Sequence, residues 1–177
     1  MSKIVKDEIK QLKPSTTLAI NEESSRLENA GKKIYKFGFG QSPFPVPDSI
    51  IAALKKNANK NTYLPIQGLG ELRSVIANHI NKNNNDFQPN DILIGPGTKE
   101  LMFLMQIAFK GEIILPAPSW VSYAPQASIA KNKVHWLQTA SSSDWFPTAQ
   151  DLEKKIKSIK NKNLLLFLNS PNNPSGK

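Results

Sequence analysis

The sequence predicts an α/β fold in which a parallel-type sheet carries helices on both faces, giving three layers. Short, largely apolar segments such as EIILP and the fully apolar LLLFL alternate with amphipathic segments that have a helical period. Apolar runs of this kind are typical of parallel strands buried on both faces. Loops rich in Gly, Pro and Asn follow three of the runs, as expected where a strand ends.

An irregular N-terminal segment precedes this alternation. Residues 3–12 predict a short amphipathic arm, and residues 17–30 predict a helix that Gly31 terminates. The stretch IYKFGF at 34–39 alternates like a strand. The Pro-rich residues 41–47 must be extended, because proline is incompatible with a helix interior.

The regular part of the fold is predicted to begin at residue 48. Apolar periodicity predicts five helices or partial helices, at residues 48–57, 70–80, 98–109, 119–130 and 151–160. We expect Asp48 to be the N-cap of the first, and Pro125 to interrupt the fourth. Strands are predicted near residues 91–95, 112–115, 133–138 and 164–168.

Composition excludes several classes of protein. Hydrophobic residues make up 39% and charged residues 21% of the 177 residues, which is ordinary globular usage. No run approaches the roughly 18 apolar residues of a membrane span, and the N-terminus lacks the apolar core of a signal peptide. We therefore expect a cytoplasmic protein without membrane association. The absence of cysteine excludes disulfides, thiol catalysis and cysteine-ligated metals.

The net charge of +9 raises the possibility of nucleic-acid binding. Arg26 and Arg73 are the only arginines among the 23 basic residues, whereas specific base contacts favour arginine. The lysines are scattered, and those between residues 154 and 162 lie on the solvated face of one predicted helix. We therefore expect no nucleic-acid partner.

Three loops are candidate binding sites, because ligands of parallel sheets sit beyond the carboxyl ends of the strands. GPGTKE at 95–100 is either a cradle of backbone N–H groups for a phosphate or an ordinary tight turn. PAPSWVSY at 116–123 carries Trp120, which either packs on the sheet edge or stacks on a planar ring. NSPNNPSGK at 169–177 is either a simple turn or a rigid mount for an amide side chain.

Other chemistries lack support in the sequence. His79 and His135 are far apart along the chain, so we expect no metal site. The chain contains no dinucleotide fingerprint, no Walker loop and no GxSxG nucleophile elbow.

Taken together, five ordered motifs resemble the class I/II aminotransferases, the pyridoxal-phosphate enzymes of the aspartate aminotransferase fold. The motifs are IYKFGFGQSPFPVP, NTYLPIQGLGELRSVIANH, GPGTKELMF, PAPSWVSY and NSPNNPSGK, the last with Ser175 where the family has threonine. The resemblance runs from about residue 15 to the last residue. It implies transamination between an amino acid and a 2-oxo acid, with pyridoxal 5′-phosphate as cofactor.

The resemblance also implies how the cofactor is held. Gly97, Thr98 and Lys99 would bind its phosphate, and Trp120 would stack on its ring. Asn173 would donate a hydrogen bond to the phenolic oxygen of the ring.

Two further positions concern the substrate and a second subunit. Gly40 would present its N–H to the substrate α-carboxylate, while Trp120 and Asn173 would also border the substrate. Tyr63 would reach the cofactor phosphate of the neighbouring subunit, which implies a homodimer.

The resemblance covers only the N-terminal portion of such an enzyme. It assigns residues 1–47 to an arm and part of the small domain, and residues 48–177 to the incomplete large domain. No residue here matches the family's Schiff-base lysine, so we expect this portion alone to be inactive. A catalytically dead remnant that serves as a binding module is the alternative. We also expect the strands at 91–95 and 164–168 to lose their central neighbours, leaving only those at 112–115 and 133–138 side by side.

Overall fold

A computed structural model describes residues 4–12, 16–38, 40 and 42–177. The chain divides into two compact units, Gln11–Tyr63 and a second unit made of Met1–Lys10 with Leu64–Lys177. The division at residue 47 stays a prediction about the family's domains. Within the described ranges, no helix is both long and apolar enough to cross a membrane.

Among its described residues, the unit Gln11–Tyr63 contains two helices, α2 (Thr16–Asn29) and α3 (Asp48–Asn57), which follow α1 (Asp7–Lys10) of the other unit in the chain. Gly31 ends α2 with a positive φ of 78°, as predicted. Asp48 is the first helical residue of α3 rather than its cap, because the cap position belongs to Pro47.

In the part of the larger unit that the structure describes, there are four longer helices and three strands. The helices are α4 (Gly70–Asn81), α5 (Thr98–Ala108), α6 (Tyr123–Ile129) and α7 (Ala149–Ser158). The strands are β1 (Glu112–Ala117), β2 (Val134–Gln138) and β3 (Leu164–Leu166). Short 3-10 turns lie at Pro89–Asp91 and Ser141–Ser143. Pro125 lies in the first turn of α6, where its missing N–H has no helical partner to lose, so it does not interrupt that helix.

The three strands are parallel, in the order β2-β1-β3. In the central strand β1, Ile113 pairs with Val134 on one side and with Leu165 on the other. The expectation that the last strand loses its neighbour was therefore wrong, because β3 forms its ladder directly with β1.

Alternate residues of β1 build two cores, one on each face of the sheet. On one face, Ile113, Leu115 and Phe167 pack with Tyr123 and Ala127 of α6. On the other, the buried cluster consists of Ile114, Leu137 and Ile159, with Leu152 of α7 packed against it. The sheet is thus covered on both faces, which confirms the three-layer prediction.

Two predicted strands are wrong in the parts of them that the structure describes. Residues 34–38 and 92–95 have no strand assignment. A strand requires a neighbour that accepts its ladder of hydrogen bonds, and the apolar pattern alone does not supply one. The N–H of Ile94 donates instead to the carbonyl of Gln67 at 3.0 Å.

Candidate functional site

Parallel strands bring two of the predicted loops to one edge of the sheet. β1 ends at Ala117 and β3 at Leu166, so the segments that follow both leave the carboxyl edge. The side-chain Nδ2 of Asn172 donates to the carbonyl oxygen of Pro118 at 3.3 Å and thereby joins the two loops. The aromatic loop and the asparagine loop therefore form one structure.

The glycine turn lies at the start of α5, where the first backbone N–H groups have no partner within the helix. Gly97 occupies the N-cap position with φ 128° and ψ 147°, and no side chain among the described residues caps the helix. A β-carbon at Gly97 would meet nothing within 4 Å, so the approach to the turn is open. The N–H groups of the first helical residues, Thr98 and Lys99, lie at this helix start with the positive end of the helix dipole. An anion such as phosphate suits such a helix start.

Lys99 and Trp120 lie beside each other at this helix start. The Lys99 Nζ atom is 5.6 Å from the centroid of the Trp120 ring. Trp120 in turn meets Tyr123 edge-on, with the ring centroids 5.4 Å apart, and Tyr123 packs on Phe167 at 4.9 Å. This aromatic series fixes the indole to the first core. Burial raises the pKa of Tyr123, which keeps its phenol neutral.

The asparagine loop places its two adjacent asparagines in opposite environments. Asn172 is buried and also donates from Nδ2 to the Ser175 hydroxyl at 2.9 Å. Its carbonyl accepts from the N–H of Gly176 at 2.6 Å, which closes the turn. Asn173 is exposed. Asn172 is thus the structural residue of the pair, and the amide of Asn173 is open to solvent for a ligand.

A small pocket lies between the two loops. Its walls include Ser119, Tyr123, Phe167 and Asn172. The hydroxyl oxygen of Ser119 is buried and has no hydrogen-bond partner among the described residues. The sequence did not single out Ser119 or Asn172, because serine and asparagine are equally ordinary in a simple turn.

The other predicted residues belong elsewhere. Gly40 and Tyr63 lie in the unit Gln11–Tyr63, where Gly40 has open space around its α-carbon and the Tyr63 side chain is fully exposed. Their roles stay predictions. His135 pairs through Nε2 with the Glu112 carboxylate at the amino end of the sheet, away from the loops.

The fold is shared with solved aminotransferases. An aspartate aminotransferase from Thermotoga maritima superposes with a TM-score of 0.83 at 26% identity, covering 96% of this chain and 46% of that one. The sequence profile described as "Aminotransferase class I and II" matches residues 32–177, and the chain belongs to that family.

Two curated relatives agree with this assignment. The aspartate aminotransferase of Bacillus sp. (strain YM-2) is 30% identical in an alignment 182 residues long, which covers 99% of this chain and 46% of the relative. The aspartate/prephenate aminotransferase of Nitrosomonas europaea is 32% identical in an alignment 176 residues long, which covers 95% of this chain and 43% of the relative. The chain thus spans about half the length of the curated relatives it matches.

Proposed function

We propose that this chain forms part of a pyridoxal-phosphate enzyme that transfers an amino group between an amino acid and a 2-oxo acid. Family membership supports the reaction class. Because the two relatives are named for aspartate, we propose aspartate as the amino donor. We further propose that the enzyme acts in the cytoplasm.

The observation that carries this proposal is the uncapped start of α5 beside Trp120. A pyridoxal phosphate molecule has a dianionic phosphate at one end and a flat aromatic ring at the other. The chain offers matching groups, since Thr98 and Lys99 supply N–H donors and Lys99 an ammonium group near the indole. The residues present therefore fit the cofactor. When bound, it supplies an electron sink for the bonds at the substrate α-carbon.

The chain's own residues would bind and orient. Gly97 lets the backbone approach the phosphate, and the first N–H groups of α5 hold it. Trp120, fixed on Tyr123, presents one face for stacking. Asn173 would donate from its amide to the phenolic oxygen of the ring and so favour the ionised oxygen.

We extend the proposal to the substrate and the second subunit. Gly40 would donate its N–H to the substrate α-carboxylate, with Trp120 and Asn173 bordering the substrate. Tyr63, whose side chain is fully exposed, would donate its hydroxyl to the phosphate held by the other subunit of a homodimer.

The test separates phosphate recognition from ring recognition. Pyridoxine 5′-phosphate carries an alcohol in place of the aldehyde, so it cannot react with the many lysines of this chain. Its binding is followed by quenching of Trp120 fluorescence in a Trp136→Phe, Trp145→Phe background. We expect it to bind at least about tenfold more tightly than pyridoxine, since charge-assisted hydrogen bonds to the phosphate are added. Equal affinity for both probes, or unquenched Trp120 fluorescence at saturating pyridoxine 5′-phosphate, would refute the proposal.

A further inference from the structure

Two buried amides connect α5 with α6, and neither belongs to the predicted site. Gln106 has no exposed surface, and its Nε2 donates to Oε1 of Gln126 at 3.1 Å. Gln126 is 8% exposed, and its Nε2 donates to the main-chain carbonyl oxygen of Lys99 at 2.9 Å. The two amides are therefore hydrogen-bonded to the backbone of the turn to which we assign the phosphate.

The carbonyl of Lys99 determines how the two glutamine amides are oriented. A carbonyl oxygen only accepts, so it requires the Nε2 group of Gln126. Oε1 of Gln126 then faces Gln106 and requires a donor there. Oε1 of Gln106 is left buried without a partner in the part of the chain that the structure describes. An unpaired buried oxygen costs free energy, so core packing alone does not account for a glutamine at 106.

The far end of α5 is fastened to the same segment. Nδ2 of Asn132 donates to the main-chain carbonyl of Gln106 at 2.8 Å, and the N–H of Asn132 donates to the carbonyl of Ala127 at 2.9 Å. Hydrogen bonds from α6 and the turn after it thus hold α5 at its first turn and again near its end. Rotation or sliding of α5 along α6 would break both.

Lys99 takes part both in the hydrogen bonds between α5 and α6 and in the candidate site. Its carbonyl is held by Gln126 from α6, while its ammonium group lies near Trp120, just before α6. We propose that Gln126, supported by Gln106, is a positioning residue that sets the backbone donors of Thr98 and Lys99 in register with the Trp120 ring. This inference rests on the proposed function, because it assigns the register to a ligand with both a phosphate and a ring.

The experiment compares four variants of the chain. Gln126→Met removes both amide bonds, whereas Gln106→Met leaves the bond to Lys99 in place. The double variant replaces both glutamines by apolar groups of similar size, so it leaves neither amide unpaired, and only the Lys99 carbonyl loses a donor. Gln138→Met changes an exposed glutamine on β2 and is the matched control.

The measured quantity is the preference for pyridoxine 5′-phosphate over inorganic phosphate. Inorganic phosphate needs only the turn, whereas the larger probe needs the turn and the ring in register. We expect Gln126→Met and the double variant to lower this preference by about fivefold, which is the worth of one hydrogen bond of ordinary strength. Gln106→Met should lower it less, and Gln138→Met should leave it unchanged. In the wild type, the larger probe should shift the side-chain amide resonances of Gln126.

The possible results test the inference and the proposed function separately. A folded double variant with wild-type preference would overturn the inference and leave the proposed function intact. Unshifted Gln126 resonances in the ligand-saturated wild type would do the same, even if every variant failed to fold. Failure of the wild type to bind pyridoxine 5′-phosphate would refute the proposed function, and the inference with it.

Discussion

Replacing Gly97 by alanine tests whether the glycine turn is a ligand cradle. Gly97 adopts φ 128° and ψ 147°, a region that residues with a β-carbon rarely occupy. The new methyl group would meet no atom within 4 Å, so steric overlap with neighbours contributes nothing. The whole cost of Gly97→Ala therefore comes from the backbone conformation.

The expected loss of stability is about 1–3 kcal/mol, the usual cost of one residue held in such a region. For a chain of this size, each kcal/mol lowers the melting temperature by roughly 2–4 °C. The variant has a way to relieve the strain, which is to rotate toward negative φ. That rotation would turn the N–H groups of Thr98 and Lys99 away from their common direction. Affinity for inorganic phosphate should then fall as well.

Thermal unfolding by circular dichroism and phosphate titration of the Thr98 and Lys99 amide resonances measure the two effects. Gly31→Ala is the matched control, because Gly31 also has a positive φ, 78°, and open space at its α-carbon. It should lose stability, by about 1–2 kcal/mol, without weakening phosphate binding. If Gly97→Ala binds phosphate as the wild type does, the turn is only a helix start and our reasoning about it is wrong.

Three further predictions concern other parts of the chain. In an active enzyme that carries this chain, Asn173→Ala should lower kcat/KM by the equivalent of about 1–3 kcal/mol, and unchanged kinetics would reduce Asn173 to a turn residue. His135 holds the pKa of the Glu112 carboxyl below its ordinary 4.5. The Glu112–His135 pair therefore stabilises the fold above pH 4.5, and this stabilisation is lost as the pH falls through the lower pKa of the folded state. Urea midpoints of the wild type and Glu112→Gln should therefore converge in acid, and a constant difference would contradict this. Gly111→Ala should destabilise more than Gly95→Ala in thermal melts, because its β-carbon would lie 2.3 Å from the main-chain oxygen of Asn163, whereas the nearest atoms to that of Gly95 belong to the Leu101 side chain. The reverse order would show that the backbone near Gly111 moves easily.

The sequence predicts those helices and strands that show the expected hydrophobic pattern in their own residues. The helix at 151–160 has three apolar residues on one side and lysines on the other, and α7 forms there. The segment 112–115 is apolar after Glu112 and becomes part of the central strand. By contrast, residues 92–95 have an equally apolar pattern but form no strand. Strand formation depends on a neighbour, and no local pattern contains that information.

In the candidate site, too, some residues are predictable from local sequence and others are not. Glycines before a helix and a tryptophan after a strand are visible in the sequence, and the structure brings Lys99 and Trp120 together. Gln106 and Gln126 were not predicted, since a glutamine within an amphipathic helix is ordinarily a surface residue. Their burial follows from the packing of α5 on α6, which pairs residues distant in the chain.

The N-terminal arm has a consequence for the order of folding. Glu8 of α1 pairs with Lys131 at 2.9 Å, and the chain between them includes the whole unit Gln11–Tyr63. During synthesis on a ribosome, Glu8 cannot pair with Lys131 until the chain has been made beyond α6. Closing so long a loop costs conformational entropy, and the ion pair that forms on closure joins an exposed lysine to a half-buried glutamate, which stabilises it little. The arm should therefore dock last as the chain folds and detach first as it unfolds.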